Sequence, residues 1–317
     1  MNKRAFIFPG QGSQHVGMGQ DFYEKIKESK KIFDQANDTL NMDLTGLIFN
    51  GNEEELKKTE NTQPAILTTS IAILKAMQKE GIDCEYTAGL SLGEYSSIVM
   101  SNALNFSDAL NVVRARGKFM QEAVPIGIGG MAAILGLNRG SLPDLIQASQ
   151  DYGIVEVANY NSPDQIVISG ELKGIKIACD KAMELGAKKA VQLPVSAPFH
   201  TSLLSEAGTR LSAELLKVKF NDLDKSVISN VDGNLIKNKD EIIDKLVSQV
   251  SHSVLWQQSV EYMITQGVDT FVELGPGKSL SGFVKRIGKS MGKEVKTLSV
   301  SNLDSYYEAL DILKRGA

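Results

Sequence analysis

"TAGLSLGEYSS" (residues 87–97) places a serine between two glycines, Gly89-Leu90-Ser91-Leu92-Gly93. The apolar run before it, 85–90, reads as a buried strand, and a helix is expected from Glu94 to about Ser101. Gly-x-Ser-x-Gly between a strand and a helix is the pattern of a nucleophile elbow. The turn is so tight that bulky neighbours would collide, and the serine hydroxyl is left exposed in a strained backbone. An ordinary Gly-Ser turn would look the same over five residues; the strand before it and the helix after it favour the elbow. The backbone N–H of Leu92 would then face the same space as the Ser91 hydroxyl and serve as an oxyanion donor.

The surrounding pattern is α/β. "AFIF" (5–8) is a short buried strand stopped by Pro9-Gly10, and "QPAILTTSIAILKAMQKEG" (63–81) is a helix with Ile66, Ser70, Leu74 and Met77 on one face. A further helix spans 107–123, with Ser107 as the expected N-cap. The middle of the chain changes character. Strands at 131–137, 154–161, 165–171 and 188–195 and helices at 141–152 and 173–186 give the order β-α-β-β-α-β, a ferredoxin-like unit. "PIGIGG" (125–130) leads into it and "PVSAPFH" (194–200) leads out. The expected organisation is a large α/β-hydrolase-like domain from 1–124 and 196–317, interrupted by a small ferredoxin-like domain at 125–195.

The chain has 317 residues, 42% hydrophobic and 23% charged, with a net charge of −4. That is the balance of a globular protein without a global positive field for nucleic acid or anionic membranes. Cys84 and Cys179 fit no metal motif and no disulfide framework. The apolar run after "MNKR" is too short for a signal peptide, and no stretch approaches membrane-spanning length. A cytoplasmic location is expected.

A serine nucleophile needs a base. The chain holds three histidines. His15 follows a glycine-rich turn, His252 sits in a polar stretch, and His200 lies where the chain should re-enter the large domain, which makes it the leading candidate. No third acid is evident. Glu94 and Asp83 are near Ser91 in sequence, and a backbone carbonyl could orient the imidazole instead. On the 107–123 helix, Arg116 shares the apolar stripe of Ala109, Val113 and Met120. A guanidinium there needs an anion from a ligand, or else an internal ion pair or a snorkelling path.

Six stretches in order, "FPGQGSQHVGMG" (8–19), "TQPAILT" (62–68), "GLSLGEYSS" (89–97), "RARGKFMQEA" (114–123), "PVSAPFHTSLL" (194–204) and "ELGPGKSLSGFVKRI" (273–287), carry a resemblance over almost the whole chain. The sequence resembles the malonyl-CoA:acyl carrier protein transacylases of bacterial type II fatty acid synthesis and, more distantly, the acyltransferase domains of polyketide synthases. The resemblance implies Ser91 as the malonyl-bearing nucleophile, His200 as the base and Arg116 as the clamp on the malonyl carboxylate. It implies Gln11 as the second oxyanion donor beside Leu92, Gln63 near the site, and Met120 and Phe199 shaping the acyl pocket, with Phe199 favouring malonyl. It implies malonyl-CoA and holo acyl carrier protein as substrates, no metal or redox cofactor, and a monomer.

The carrier protein, being acidic, would dock on a basic patch, for which Lys188, Lys189, Lys278, Lys285 and Arg286 are candidates. Two departures stand out. Leu90 occupies a position where many members have histidine. His252-Ser253 replaces an Asn-Pro pair whose first backbone carbonyl is taken to orient the catalytic histidine, so His252 is expected to supply that carbonyl.

Two other readings fit parts of the sequence. A serine hydrolase shares the elbow, but its histidine usually lies near the C-terminus and it has no use for Arg116. A non-catalytic binder of acyl carrier protein would tolerate Leu90, but it would not need Ser91, His200, Arg116 and Gln11 together.

Overall fold

The computed structural model describes residues 3–125, 127–195 and 197–315. Two sheets organise it. The first is parallel throughout and built from β1 (Lys3–Phe8), β2 (Tyr86–Gly89), β7 (Ser226–Ile228), β8 (Val268–Leu274) and β9 (Lys296–Val300), in the order β7-β2-β1-β8-β9. The second is antiparallel and built from β3 (Gly129–Leu135), β4 (Val155–Ser162), β5 (Gln165–Glu171) and β6 (Lys189–Gln192), in the order β4-β5-β3-β6. With helices Leu142–Ser149 after β3 and Leu172–Glu184 after β5, this second unit has the ferredoxin-like connectivity expected from the sequence.

Residue alternation explains how each sheet is covered. On β1, Phe6 and Phe8 enter one apolar cluster with the Thr59–Lys79 helix, while Ala5 and Ile7 enter another with Trp256 and Phe283. Both faces are therefore dry, as a parallel sheet requires. On β3, Ala132 and Ile134 face the two helices of the second unit, while Met131 and Ala133 join the large cluster that also holds Ala197 and Phe199. The second sheet is also tied to the main body by backbone. Val254 N–H donates to Ala158 O at 2.8 Å, and Tyr160 N–H donates to Val254 O at 2.9 Å. Ser253 Oγ donates to Val157 O, so the residue that replaces the expected proline supplies a bond of its own.

Several boundaries differ from the sequence reading. The expected 63–81 helix begins at Thr59, with Pro64 inside it, because Thr62 N–H already donates to Lys58 O and the proline only removes a later donor. The 107–123 helix runs Phe106–Glu122, and its cap is Asn105, whose side chain accepts from the Asp108 N–H. Ser107, expected as the cap, instead bonds Gln35 and Thr39. Ser196, where the large domain is expected to resume, and Ile126 in the entry glycine run lie outside the described residues.

The β2–helix junction leaves no room for side chains at its two glycines. A Cβ on Gly89 would fall on the backbone of Gly93, and a Cβ on Gly93 would fall on Phe8 O of the neighbouring strand. Gly93→Ala should therefore lower the unfolding free energy by ~2 kcal/mol or more, read from urea midpoints. A midpoint unchanged from the parent protein would contradict this packing.

Candidate active site

Ser91 follows β2 by two residues and adopts φ 54°, in the left-handed region. Such a backbone in a non-glycine residue costs energy and persists only when its surroundings hold it. Asn230, two residues beyond β7, does much of this. Its Oδ1 accepts from Ser91 N–H at 2.6 Å and its Nδ2 donates to Gly89 O at 2.7 Å. Gln249 Nε2 donates to Ser91 O at 3.0 Å. The turn is clamped on both sides, and the hydroxyl projects at the head of the Gly93–Met100 helix.

Ser91 Oγ lies 2.8 Å from His200 Nε2. His200 Nδ1 lies 2.7 Å from the carbonyl of Gln249. A carbonyl can only accept, so the network assigns the proton to Nδ1 and leaves Nε2 free to accept from the serine. His200 also has positive φ, 61°, and is 4% exposed. Burial, with the nearby Arg116 charge, pushes its pKa down to about 3, against the pull of the Gln249 carbonyl. The imidazole is thus neutral at physiological pH, with Nε2 able to accept a proton.

Arg116 is 1% exposed. Its Nη1 donates to Gln63 Oε1 at 2.8 Å, and its Nη2 donates to Gln249 Oε1 at 2.9 Å and to Ser91 Oγ at 3.1 Å. Its guanidinium lies 5.6 Å from the Tyr95 ring centroid. Among the described residues its hydrogen-bond partners are uncharged, and its Nε has none. No carboxylate bonds it directly among the described residues, and at this burial it does not reach water, so the direct ion pair and the snorkelling path that the sequence left open are excluded. A buried cation with a free donor, in contact with the serine hydroxyl, can receive an anionic group attached to whatever the serine carries.

The other expected residues are distributed around this centre. Gln63 is buried against Arg116, and its Nε2 approaches Met120 Sδ at 3.9 Å. Met120, one turn beyond Arg116, and Phe199, beside His200, are both buried. Gln11 leaves the end of β1, whose Phe8 is in register with Gly89, and its side chain bonds Thr59. Leu92 is buried at the start of the Gly93–Met100 helix. Leu90 is half-buried against the second apolar cluster.

One expectation is overturned. The carbonyl that orients His200 belongs to Gln249, not to His252. His252 follows the Ile242–Ser251 helix, is exposed, and turns its ring back to the Ser248 carbonyl at 2.8 Å. The helix ends between the two positions: Gln249 is buried in its last turn, whereas His252 lies beyond it and is exposed. His15 is exposed and bonds its own neighbour, Val16. Asn230 and Gln249 were not singled out from the sequence. Gln249 had a signal of the same kind as Arg116, since it is a polar residue on the buried stripe Ile242, Leu246, Gln249, Val250. Asn230, before Val231-Asp232-Gly233, reads as an ordinary turn residue.

A serine clamped at a strand–helix turn, a neutral histidine and a buried arginine define a serine acyl-transfer site. The chain matches the acyl transferase domain family over residues 5–310, and it belongs to that family. It is similar to the malonyl CoA-acyl carrier protein transacylase of Bacillus subtilis, with 46% identity over 99% of this chain and 98% of that protein. It is also similar to the crystal structure of that transacylase from Clostridium perfringens, with 49% identity, 99% of this chain and 98% of the other covered, and a TM-score of 0.94. A third likeness is to a chain in the structure of a type II PKS acyl-carrier protein in complex with its malonyl-transacylase, with 38% identity, 98% of this chain and 100% of the other covered, and a TM-score of 0.93.

The imidazole of His200, identified by its loss in His200→Gln, should keep the neutral 15N pattern down to about pH 5, whereas an ordinary histidine protonates near about 6.5. Protonation near that ordinary value would contradict the buried neutral base. Asn230→Ala should slow acylation of Ser91 by a neutral serine-directed probe by about tenfold or more, with the folded circular dichroism spectrum retained. An unchanged rate would remove Asn230 from the support of the turn.

Proposed function

We propose that the protein transfers the malonyl group of malonyl-CoA to the phosphopantetheine thiol of acyl carrier protein, supplying fatty acid elongation, through a malonyl ester on Ser91. In the first half-reaction His200 Nε2 takes the Ser91 proton as Oγ attacks the thioester carbonyl. The N–H groups of Leu92 and Gln11 hold the oxyanion, a role supported by their places after the adjoining ends of β2 and β1. Collapse breaks the carbon–sulfur bond, and the CoA thiolate leaves with the proton from His200. In the second half-reaction the carrier thiol gives its proton to His200, its sulfur attacks the ester, and Ser91 recovers the proton. Atoms and electrons balance with the two thiols alone.

The observation that carries the choice of malonyl is Arg116, buried and 3.1 Å from Ser91 Oγ with only neutral partners. A carboxylate on the acyl group supplies an anion in direct contact with it, and a bidentate guanidinium suits it. Gln63, Met120 and Phe199 would shape the space beside it. We further read the chain as a catalytic unit, 1–124 and 196–317, with a small unit at 125–195. Support comes from the second sheet's own apolar cluster and its antiparallel pairing.

For the carrier protein, exposed Lys188, Lys189, Lys278 and Lys285 are available, while Arg286 is held by Asp164 at 3.0 Å. We read the protein as a cytoplasmic monomer without a resident cofactor, with Cys84 and Cys179 as free thiols.

Radiolabelled malonyl-CoA alone should label the Ser91 peptide, and holo acyl carrier protein should discharge it. Ser91→Ala should carry no label. Arg116→Ala should lose about a hundredfold in malonyl transfer, the scale of a lost charged pair of ~3 kcal/mol, and shift preference toward acetyl-CoA. Free malonate without transfer would indicate a hydrolase, and equal loss for both acyl donors would remove Arg116 as the clamp.

A further inference from the structure

A guanidinium withdrawn from water among neutral partners is expensive unless some anion compensates it. One compensation runs through an amide. Gln249 Oε1 accepts from Arg116 Nη2 at 2.9 Å, and Gln249 Nε2 donates to Glu94 Oε2 at 2.6 Å. Glu94 is fully buried on the Gly93–Met100 helix, three residues after the nucleophile. Its Oε2 also accepts from the Asn230 N–H at 3.1 Å.

The amide can stand only one way round. Turned over, it would set NH2 against the guanidinium and its oxygen against both Ser91 O and the Glu94 carboxylate.

We infer that Glu94 is the resident counter-anion of Arg116, a positioning residue that acts through the Gln249 amide and sets how tightly the acyl carboxylate is gripped. The inference rests on the malonyl reading of the site. The spacing matters. A carboxylate bonded directly to Arg116 would occupy the donors the substrate needs. One held behind an amide stabilises the charge in the empty site and leaves Nε without a partner and Nη1 on the neutral, displaceable Gln63 amide. When malonyl arrives, its carboxylate joins a pocket that already holds one negative charge, so its grip is moderated. That suits an intermediate that must release its acyl group to a second thiol.

Burial raises the Glu94 carboxyl, and against the opposing pull of the Gln249 side chain, the Asn230 N–H, Ser229 and the charge of Lys245 it comes to about 7. Burial lowers the pKa of Arg116, and the neighbouring Tyr95 and then the Glu94 charge oppose that effect. At mildly alkaline pH the pair is charged.

Glu94→Gln keeps an oxygen for Gln249 and for the Asn230 N–H, removes the charge and sets an NH2 where Oε1 stands, a change the double variant shares. At mildly alkaline pH it should lower the melting temperature by ~3 °C or more and lower the malonyl-CoA KM about fivefold relative to the acetyl-CoA KM. In an Arg116→Ala background the same substitution should leave the melting temperature unchanged or raise it, because the charge no longer has a partner. If Glu94→Gln alone does not fold, the double variant should, which reads the same coupling.

Additive melting shifts, a double variant no better than the single, or a malonyl KM unchanged or raised relative to acetyl would each overturn the inference. Failure of the underlying reading is separate: Arg116→Ala would retain its full malonyl preference.

Discussion

Residue 249 holds this site together, through its peptide and its side chain at once. Its carbonyl fixes the tautomer of His200 at 2.7 Å, and its amide bridges Arg116, the Ser91 carbonyl and Glu94. His200, Arg116 and Ser91 are thus referred to a single point near the C-terminal end of the Ile242–Ser251 helix. That point is fixed from outside. The strap that follows it, Ser253 and Val254, is bonded to the β4 backbone of the second sheet. The antiparallel sheet therefore supports the geometry around His200.

The strain in the site is held by topology. Ser91 and His200 both have positive φ, which L-residues adopt at a cost. Ser91 lies beyond the carboxyl end of β2, Asn230 beyond that of β7 and Gln11 beyond that of β1, and these strands are neighbours in a parallel sheet. Loops at the carboxyl ends of such strands converge on a common crevice. The carboxamide of Asn230 can reach both the N–H of Ser91 and the carbonyl of Gly89 because β7 and β2 run side by side. Glycine at 89 and 93 lets the chains approach closely enough for these bonds.

Much of this was legible in the sequence, and the limits have physical reasons. Periodicity found the strands of the second unit and their order, because each alternates or runs apolar between clear turn residues. The elbow could be read because its glycines are obligatory for close packing. Arg116 could be read because a charge interrupts an apolar stripe. Gln249 interrupts such a stripe as well, but an amide is a weaker anomaly than a guanidinium, and the orienting carbonyl was placed three residues late, at His252. A backbone role leaves no mark on residue type, so only the end of the Ile242–Ser251 helix could decide it. Asn230 and Glu94 act across 139 and 155 positions of chain, distances over which sequence pattern says nothing.

The central claim is that one buried guanidinium receives the carboxylate of an acyl group carried on Ser91. A crystal structure of the protein trapped with malonyl-CoA in the absence of carrier protein tests it most directly. The account predicts an ester on Ser91 Oγ with its carboxylate on the Arg116 guanidinium, and His200 Nδ1 still on the Gln249 carbonyl. An ester whose carboxylate points to solvent while Arg116 keeps only its neutral partners, or an acyl group bonded anywhere but Ser91, would contradict it.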